Sequence, residues 1–187
     1  ILKKVELKPI NSVISDAYVD NIFNNFYGTT LNLNELQNKI ELLRKRYESE
    51  GYSLARINGP DRISDSGVVT LNISEGIVSD IEYRFLGTDG EPNTDDDKPR
   101  KGKTKKWVIE RELKTKRGTV FNRKYLEEDI QRLYATSLFD DIRVSIGPDS
   151  LNPGRVIIFL DLTEQRTGSL TGGLGYSSSS GIFATIG

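Results

Sequence analysis

The 187-residue sequence contains no cysteine, no histidine and no methionine. Without cysteine there is no disulfide framework, no thiolate metal site and no thiol nucleophile, so an oxidising compartment is permitted but not indicated. Without histidine the commonest metal ligand and general base are missing, which excludes His-ligated metal hydrolases and Ser-His triads. There is no run of about 18 apolar residues and no signal peptide, so no helix is expected to cross a membrane. The absence of an initiator Met suggests a processed or excised piece of a longer protein. Net charge is only -1, so no global field draws in nucleic acid or an acidic surface. Hydrophobic residues make up 36% and charged residues 28%, a balance that suits small domains better than one thick core.

What is present is a repeat. The run Gly28 to Leu43, GTTLNLNELQNKIELL, matches Gly118 to Leu133, GTVFNRKYLEEDIQRL, at a constant offset of 90 residues. Gly28 meets Gly118, Thr29 meets Thr119, Asn32 meets Asn122, and the apolar positions Leu36, Ile40 and Leu43 meet Leu126, Ile130 and Leu133. The tripeptide Gly59 to Asp61 recurs at Gly147 to Asp149, an offset of 88 that short loop changes explain. Shared spacing, cap and turn together indicate a duplicated unit.

Each unit reads strand, helix, helix, strand, strand. In the first, Val5 to Ile10 alternates as a strand. Ser15 offers an N-cap, and Tyr18, Val19, Ile22, Phe23 and Phe26 form one helical stripe that Gly28 stops. Asn32 with Glu35 resembles a capping box, and Leu36, Ile40, Leu43 and Tyr47 share one face of a second helix ending at Gly51. Leu54 to Asn58 and Val68 to Ser74 read as a hairpin joined by a Gly/Pro/Asp/Ser turn region. In the second unit the strands are Ile81 to Leu86, Arg143 to Ile146 and Arg155 to Leu162, and the helices Trp107 to Leu113 and Arg123 to Ser137. Trp107 and Phe121 are expected on core stripes. The connector Ser74 to Ile77 is short, so the units should move little relative to one another. Between the first strand and first helix of the second unit lies Gly87 to Lys106, a charged stretch with almost no apolar content, expected to be a surface loop.

A strand-helix-helix-strand-strand unit repeated at this length resembles the POTRA domain. Gly51-Tyr52 at the end of the second helix and Leu138-Phe139 at the matching place look like that family's G-[YF] and LF signatures. Tyr125 to Ile146 is similar to the membrane-proximal POTRA domain of BamA-like assembly factors. The long Gly87 to Lys106 insertion resembles cyanobacterial members more than proteobacterial ones. After Glu164 the composition shifts to an uncharged Gly/Ser-rich run, in which Leu170, Gly172, Leu174 and Tyr176 alternate with Ser169, Thr171, Gly173 and Gly175, and Ile182, Ala184 and Ile186 resume the pattern. Such alternation over about 10 residues is that of a transmembrane β-barrel strand.

The resemblance implies an α+β chain of two tandem POTRA domains, residues 1–76 and 77–165, followed by the start of a barrel at 166–187. Each domain would be a three-stranded mixed sheet covered by two helices, its third strand central. The second strands, Leu54, Ala55, Arg56, Ile57 and Asn58 in one unit and Arg143, Val144, Ser145 and Ile146 in the other, then lie on sheet edges. An edge exposes backbone donors and acceptors that extended polypeptide can pair with, largely irrespective of its sequence. The expected role is a binding scaffold, not an enzyme, with no cofactor. It would receive unfolded outer-membrane β-barrel precursors and guide them to the barrel. The alternative is a two-partner secretion or protein-import channel serving one dedicated polypeptide. Expected partners are those precursors, periplasmic accessory proteins or chaperones, neighbouring POTRA domains, and the outer membrane through the attached barrel. The expected location is the outer membrane with these domains in the periplasm, or alternatively the plastid outer envelope.

Other motifs carry less. Asp89, Glu91 and Asp95 to Asp97 could ligate calcium, but their spacing misses the EF-hand template and Pro92 interrupts them, so a solvated loop is expected. From Lys98 to Lys124 there are twelve Lys or Arg against two Glu. Lys101, Lys103, Lys105, Lys106, Lys114, Lys116 and Arg117 form a basic cluster suited to lipid headgroups or an acidic partner domain. The aromatics of this stretch, Trp107 and Phe121, are expected on core stripes rather than among the charges, and no GxxG joins the helices, which argues against nucleic acid. Glu127 with Glu128, and Asp140 with Asp141, are neighbours in sequence. On a helix such side chains diverge by about 100°, so they read as solvated surface rather than an acid-base pair. GGLGYS lacks the lysine of a phosphate loop.

Overall fold

The computed structural model describes residues 1–8, 13–87, 94 and 102–165, together with the strand backbones 172–177 and 181–186. The first unit runs β1 (Lys4–Lys8), α1 (Asp16–Phe23) with a 3-10 turn over Asn24–Phe26, α2 (Leu33–Ser49), β2 (Arg56–Ile63) and β3 (Val68–Ser74). The second runs β4 (Ile77–Phe85), α3 (Lys106–Glu110), α4 (Arg123–Ala135), β5 (Phe139–Pro148) and β6 (Arg155–Glu164). Two further strands, β7 (Gly172–Ser177) and β8 (Gly181–Ile186), pair antiparallel with each other. Residues 9–12, which hold the end of the first expected strand, and the acidic run 89–93 with 95–97 lie outside the described residues.

The duplication is physical as well as textual. Each unit forms one three-stranded mixed sheet, β1-β3-β2 and β4-β6-β5, in which the third strand is central, parallel to the first and antiparallel to the second. Asn32 and Asn122 both cap their helices, each side-chain oxygen accepting from the two amides at the start of the first turn. Gly28 and Gly118 both sit at positive φ, 81° and 79°, a conformation that costs a side-chain-bearing residue about 1–2 kcal/mol. Just after each glycine the chain pairs with the beginning of its unit: the Leu2 amide donates to Thr29 O at 3.0 Å, and the Val78 amide to Thr119 O at 2.9 Å. From Leu2 to Gly28 is 26 residues and from Val78 to Gly118 is 40. The second unit therefore carries 14 extra residues, all within the charged stretch after β4.

Two separate cores result. Leu36, Ile40, Leu43 and Tyr47 of α2 bury against Val5, Ile57, Leu71 and Ile73, while Leu126 and Leu133 of α4 bury against Ile81, Ile142, Ile158 and Leu160. Trp107, expected in the second core, is instead 61% exposed. Helix α3 ends after five residues, so it buries Ile109 and no continuous stripe from 107 to 113 forms. The Trp107 ring packs under the Arg111 guanidinium at 5.5 Å.

The two units are pinned where they meet. Helix α2 ends at Gly51, φ 98°, leaving the carbonyls of Ser49, Glu50 and Gly51 without helical donors. The start of α4 supplies them: Lys124 Nζ donates to Ser49 O at 2.7 Å, Asn122 Nδ2 to Glu50 O at 3.0 Å and the Arg123 amide to Gly51 O at 2.8 Å. A helix C-terminus thus satisfies a helix N-terminus, with the favourable alignment of their dipoles. The linker is held as well. Glu75 is buried and accepts from Tyr47 OH at 2.8 Å and from the Val13 amide at 3.0 Å. Gly76 O accepts from the Phe121 amide at 2.9 Å.

Candidate functional site

The strand order leaves four sheet edges, β1 and β2 in the first unit, β4 and β5 in the second. Of the residues expected on the β2 edge, Arg56, Ile57 and Asn58 lie in the strand, but Leu54 and Ala55 do not. Leu54 packs against the second unit's core, and the Ala55 amide closes a turn onto Tyr52 O at 3.1 Å. Leu54 is tied to the junction between the units and Ala55 to the turn that follows α2 and to the first core, so the strand starts later. It also ends later, running through Gly59-Pro60-Asp61, which local composition marks as a turn. Proline is tolerated on an edge, where its missing N–H faces outward or falls at a bulge. The β2–β3 register indeed shifts on both sides of Pro60. The turn forms instead at 64–67, with Gly67 at φ 85°.

The β2 edge is consequently a poor template. It is bulged twice, Pro60 offers no donor, and Arg44 Nη2 already donates to Ile57 O at 2.7 Å. Bulges and proline are common means of blunting an edge.

The β5 edge differs. Arg143, Val144, Ser145 and Ile146 all lie within it, and its pairing with β6 is unbroken from Asp141 to Pro148. The Ile142 amide donates to side chains, to Asp141 Oδ1 at 2.9 Å and Tyr134 OH at 3.0 Å, so it faces away from β6. Alternate residues of an antiparallel strand share that direction. Val144 and Ile146 therefore turn their N–H and C=O groups outward, and Arg143 and Ser145 turn theirs to β6. Among the described residues Val144 and Ile146 have no outward hydrogen-bond partner. Ile146 and, across on α4, Tyr134 are exposed apolar surfaces flanking the edge. Charges stand beside it too: Arg143 Nε pairs with Asp141 Oδ2 at 3.0 Å.

The basic cluster does not form one patch. Lys101 lies outside the described residues. Lys103 and Lys105 are exposed, and the amides of Lys103 and Thr104 bind Glu164 at 3.0 and 2.6 Å, tying the end of the charged stretch to the end of β6. Lys114 pairs with Glu128 on α4 at 2.6 Å. Lys106 pairs with Glu110 at 3.6 Å and Arg117 with Asp80 at 3.4 Å. Lys106, Lys116 and Arg117 converge on a cleft beside β4.

Sequence reasoning missed Asp129. It is fully buried, accepts from the Lys114 and Thr115 amides at 2.8 and 2.9 Å, and is paired with Arg132. It fixes the chain that leaves α3. The signal was present: 126, 129 and 133 share one helical face, so an acidic residue stood on a buried stripe.

Comparisons with known proteins agree with this architecture. Residues 1–76 match the family model described as POTRA domain, ShlB-type, and residues 101–165 the model described as surface antigen variable number repeat, a POTRA family. The N-terminal domain of Omp85 from the thermophilic cyanobacterium Thermosynechococcus elongatus is 38% identical, with 89% of this chain and 67% of that one covered and a TM-score of 0.80. Outer envelope protein 80, chloroplastic, of Oryza sativa subsp. japonica is 26% identical over 168 residues, covering 89% of this chain and 24% of the relative. Outer membrane protein assembly factor BamA of Buchnera aphidicola subsp. Acyrthosiphon pisum is 34% identical over 74 residues, 40% of this chain and 12% of the relative. The chain thus spans about a quarter or less of the length of these curated relatives.

Proposed function

Because this chain belongs to the POTRA family of Omp85-type outer-membrane and outer-envelope proteins, we propose that its second domain receives extended segments of unfolded β-barrel precursors on the free edge of β5. The observation that carries this is the unbroken β5 register with Val144 and Ile146 presenting unpartnered backbone groups. Backbone pairing tolerates many sequences. Each bond nets about 0.5–1.5 kcal/mol, so a few of them give weak, reversible capture. That suits a factor that hands its cargo on. The domains would stand in the periplasm, or in the equivalent space of a plastid, and pass segments toward a barrel whose first strands include 172–177 and 181–186.

Tight junction contacts give this reading a second support. With α2 locked end to end onto α4, the β2 and β5 edges keep a fixed relative orientation, so a segment leaving β5 departs in a defined direction. The role is one of binding, and no catalytic constellation is invoked.

Competition tests the proposal. Several unrelated barrel-precursor segments, titrated against a labelled one, should displace it from the protein with affinities within about tenfold of one another, a spread of about 1.4 kcal/mol. Displacement by one dedicated polypeptide and by no other would refute the assembly reading in favour of a two-partner secretion or import channel.

A further inference from the structure

The end of the charged stretch is fastened to the place where the chain leaves the second domain. The Lys103 and Thr104 amides donate to the Glu164 carboxylate at 3.0 and 2.6 Å, and Gly102 lies so close to the Phe85 ring that a Cβ there would clash with it. Glu164 is the last residue of β6, and the next amide, that of Gln165, donates to Leu138 O at 2.8 Å. From Gln165 to Gly172, the first residue of β7, is seven steps. At no more than about 3.6 Å per residue the chain there spans at most about 25 Å. The segment that begins at Lys103 therefore stands beside the point of departure toward β7 and cannot lie far from whatever β7 enters.

That segment is basic and carries the one tryptophan of the chain. From Lys103 to Glu112 there are four cations and two acids. Lys106 is turned to Glu110 at 3.6 Å and to the Tyr83 ring at 5.3 Å. Lys103 and Lys105 are exposed and make no ion pair among the described residues. Helix α3 and its C-cap present Trp107 and Arg111, one turn apart, to solvent, with the guanidinium over the indole ring. A large amphipathic ring is best placed where one side is apolar and the other wet. A water–lipid interface is such a place, and tryptophan and cations both concentrate there.

A soluble acidic partner matches the charges only. It gives the indole ring no apolar phase, and the 25 Å tether does nothing to keep it near. A membrane entered by β7 supplies both. Taking 172–177 and 181–186 as the first barrel strands, as proposed above, we propose that Lys103, Lys105, Trp107 and Arg111 rest on the anionic lipid headgroups beside the barrel, the cations on phosphates and the indole among the headgroups.

Trp107 is the only tryptophan, so its fluorescence reports on this face alone. The experiment titrates the whole chain with vesicles of phosphatidylcholine, and with vesicles of phosphatidylcholine and phosphatidylglycerol in equal parts, with brominated acyl chains as the quencher. On the anionic vesicles the emission should shift to the blue and be quenched, and binding should weaken at about 1 M salt, where charges are screened beyond about 3 Å. Each cation near an anionic surface is worth about fivefold, so Lys103→Gln with Lys105→Gln, both surface changes, should weaken binding about 25-fold and leave precursor capture on β5 unchanged.

Protein that binds vesicles while Trp107 stays unshifted and unquenched would place the contact in 172–186 alone and overturn the proposal. So would equal affinity for the two lipid mixtures, a double variant within twofold of the parent, or a Trp107 response to soluble polyglutamate at lower concentration than to anionic vesicles. Protease digestion on the same vesicles reports separately on the barrel strands: cleavage within 172–186 while Trp107 is quenched would sink the barrel reading and leave the headgroup contact standing.

Discussion

Replacing Val144 and Ile146 together by proline should abolish most polypeptide capture while leaving the second domain folded. Both amides point away from β6, so a proline at either position removes no bond of the β5–β6 ladder, the one setting in which an edge strand accepts proline readily. The loss of the half-buried Val144 side chain costs the core about 1 kcal/mol, well short of unfolding a domain. The incoming strand, by contrast, loses two donors. At about 0.5–1.5 kcal/mol net per bond, the deficit is about 1–3 kcal/mol, or roughly 5- to 150-fold in affinity. Ser145→Pro is the contrasting control. Its amide faces β6 opposite Phe159, so proline there breaks the ladder and should lower the melting temperature. The assay is a titration with a labelled, unfolded barrel-precursor segment, with circular dichroism confirming the fold of each variant. A folded double-proline variant that binds within twofold of the parent would show that β5 is not the capture edge.

Two further outcomes follow from the junction and from the buried carboxylate. Gly51→Ala should loosen the two domains, because φ of 98° costs a side-chain-bearing residue about 1–2 kcal/mol and the new Cβ would clash with Asn122 Oδ1. Solution scattering and relaxation measurements should show broader interdomain motion with both cores intact, and an unchanged scattering profile would contradict the end-to-end lock. Asp129→Ala leaves the Lys114 and Thr115 amides and the Arg132 guanidinium without their acceptor. It should destabilise the second domain by about 3 kcal/mol or more, read as a lowered denaturation midpoint, and a loss under about 1 kcal/mol would show that the carboxylate does not hold that segment.

The duplicated unit was legible in the sequence because its marks are local. Asn32 and Asn122 each cap from two or three residues away, and Gly28 and Gly118 hold a backbone shape that few other residues accept. The apolar spacing 36, 40, 43, 47 reports directly on one helical face. The errors lie where distant contacts override local preference. Gly59-Pro60-Asp61 is turn-like by composition, yet β3 holds it in a bulged edge strand. Leu54 and Ala55 continue an apolar run into β2, yet the neighbouring domain claims Leu54. Trp107 fits a helical stripe only if the helix continues, and it stops because Asp129, two helices' length away in sequence, binds the next segment. The two candidate edges looked equivalent in sequence. Which of them is open depends on Arg44 reaching Ile57 O and on the register of β5, neither of which has a local signature.

The most direct test of the account is residue-resolved amide hydrogen exchange with and without a bound precursor segment. Val144 and Ile146 should exchange readily in the free protein and slow markedly on binding, while Arg143 and Ser145, already paired to β6, should change little. Protection that appears instead along Arg56 to Asn58, with Val144 and Ile146 unaffected, would contradict it.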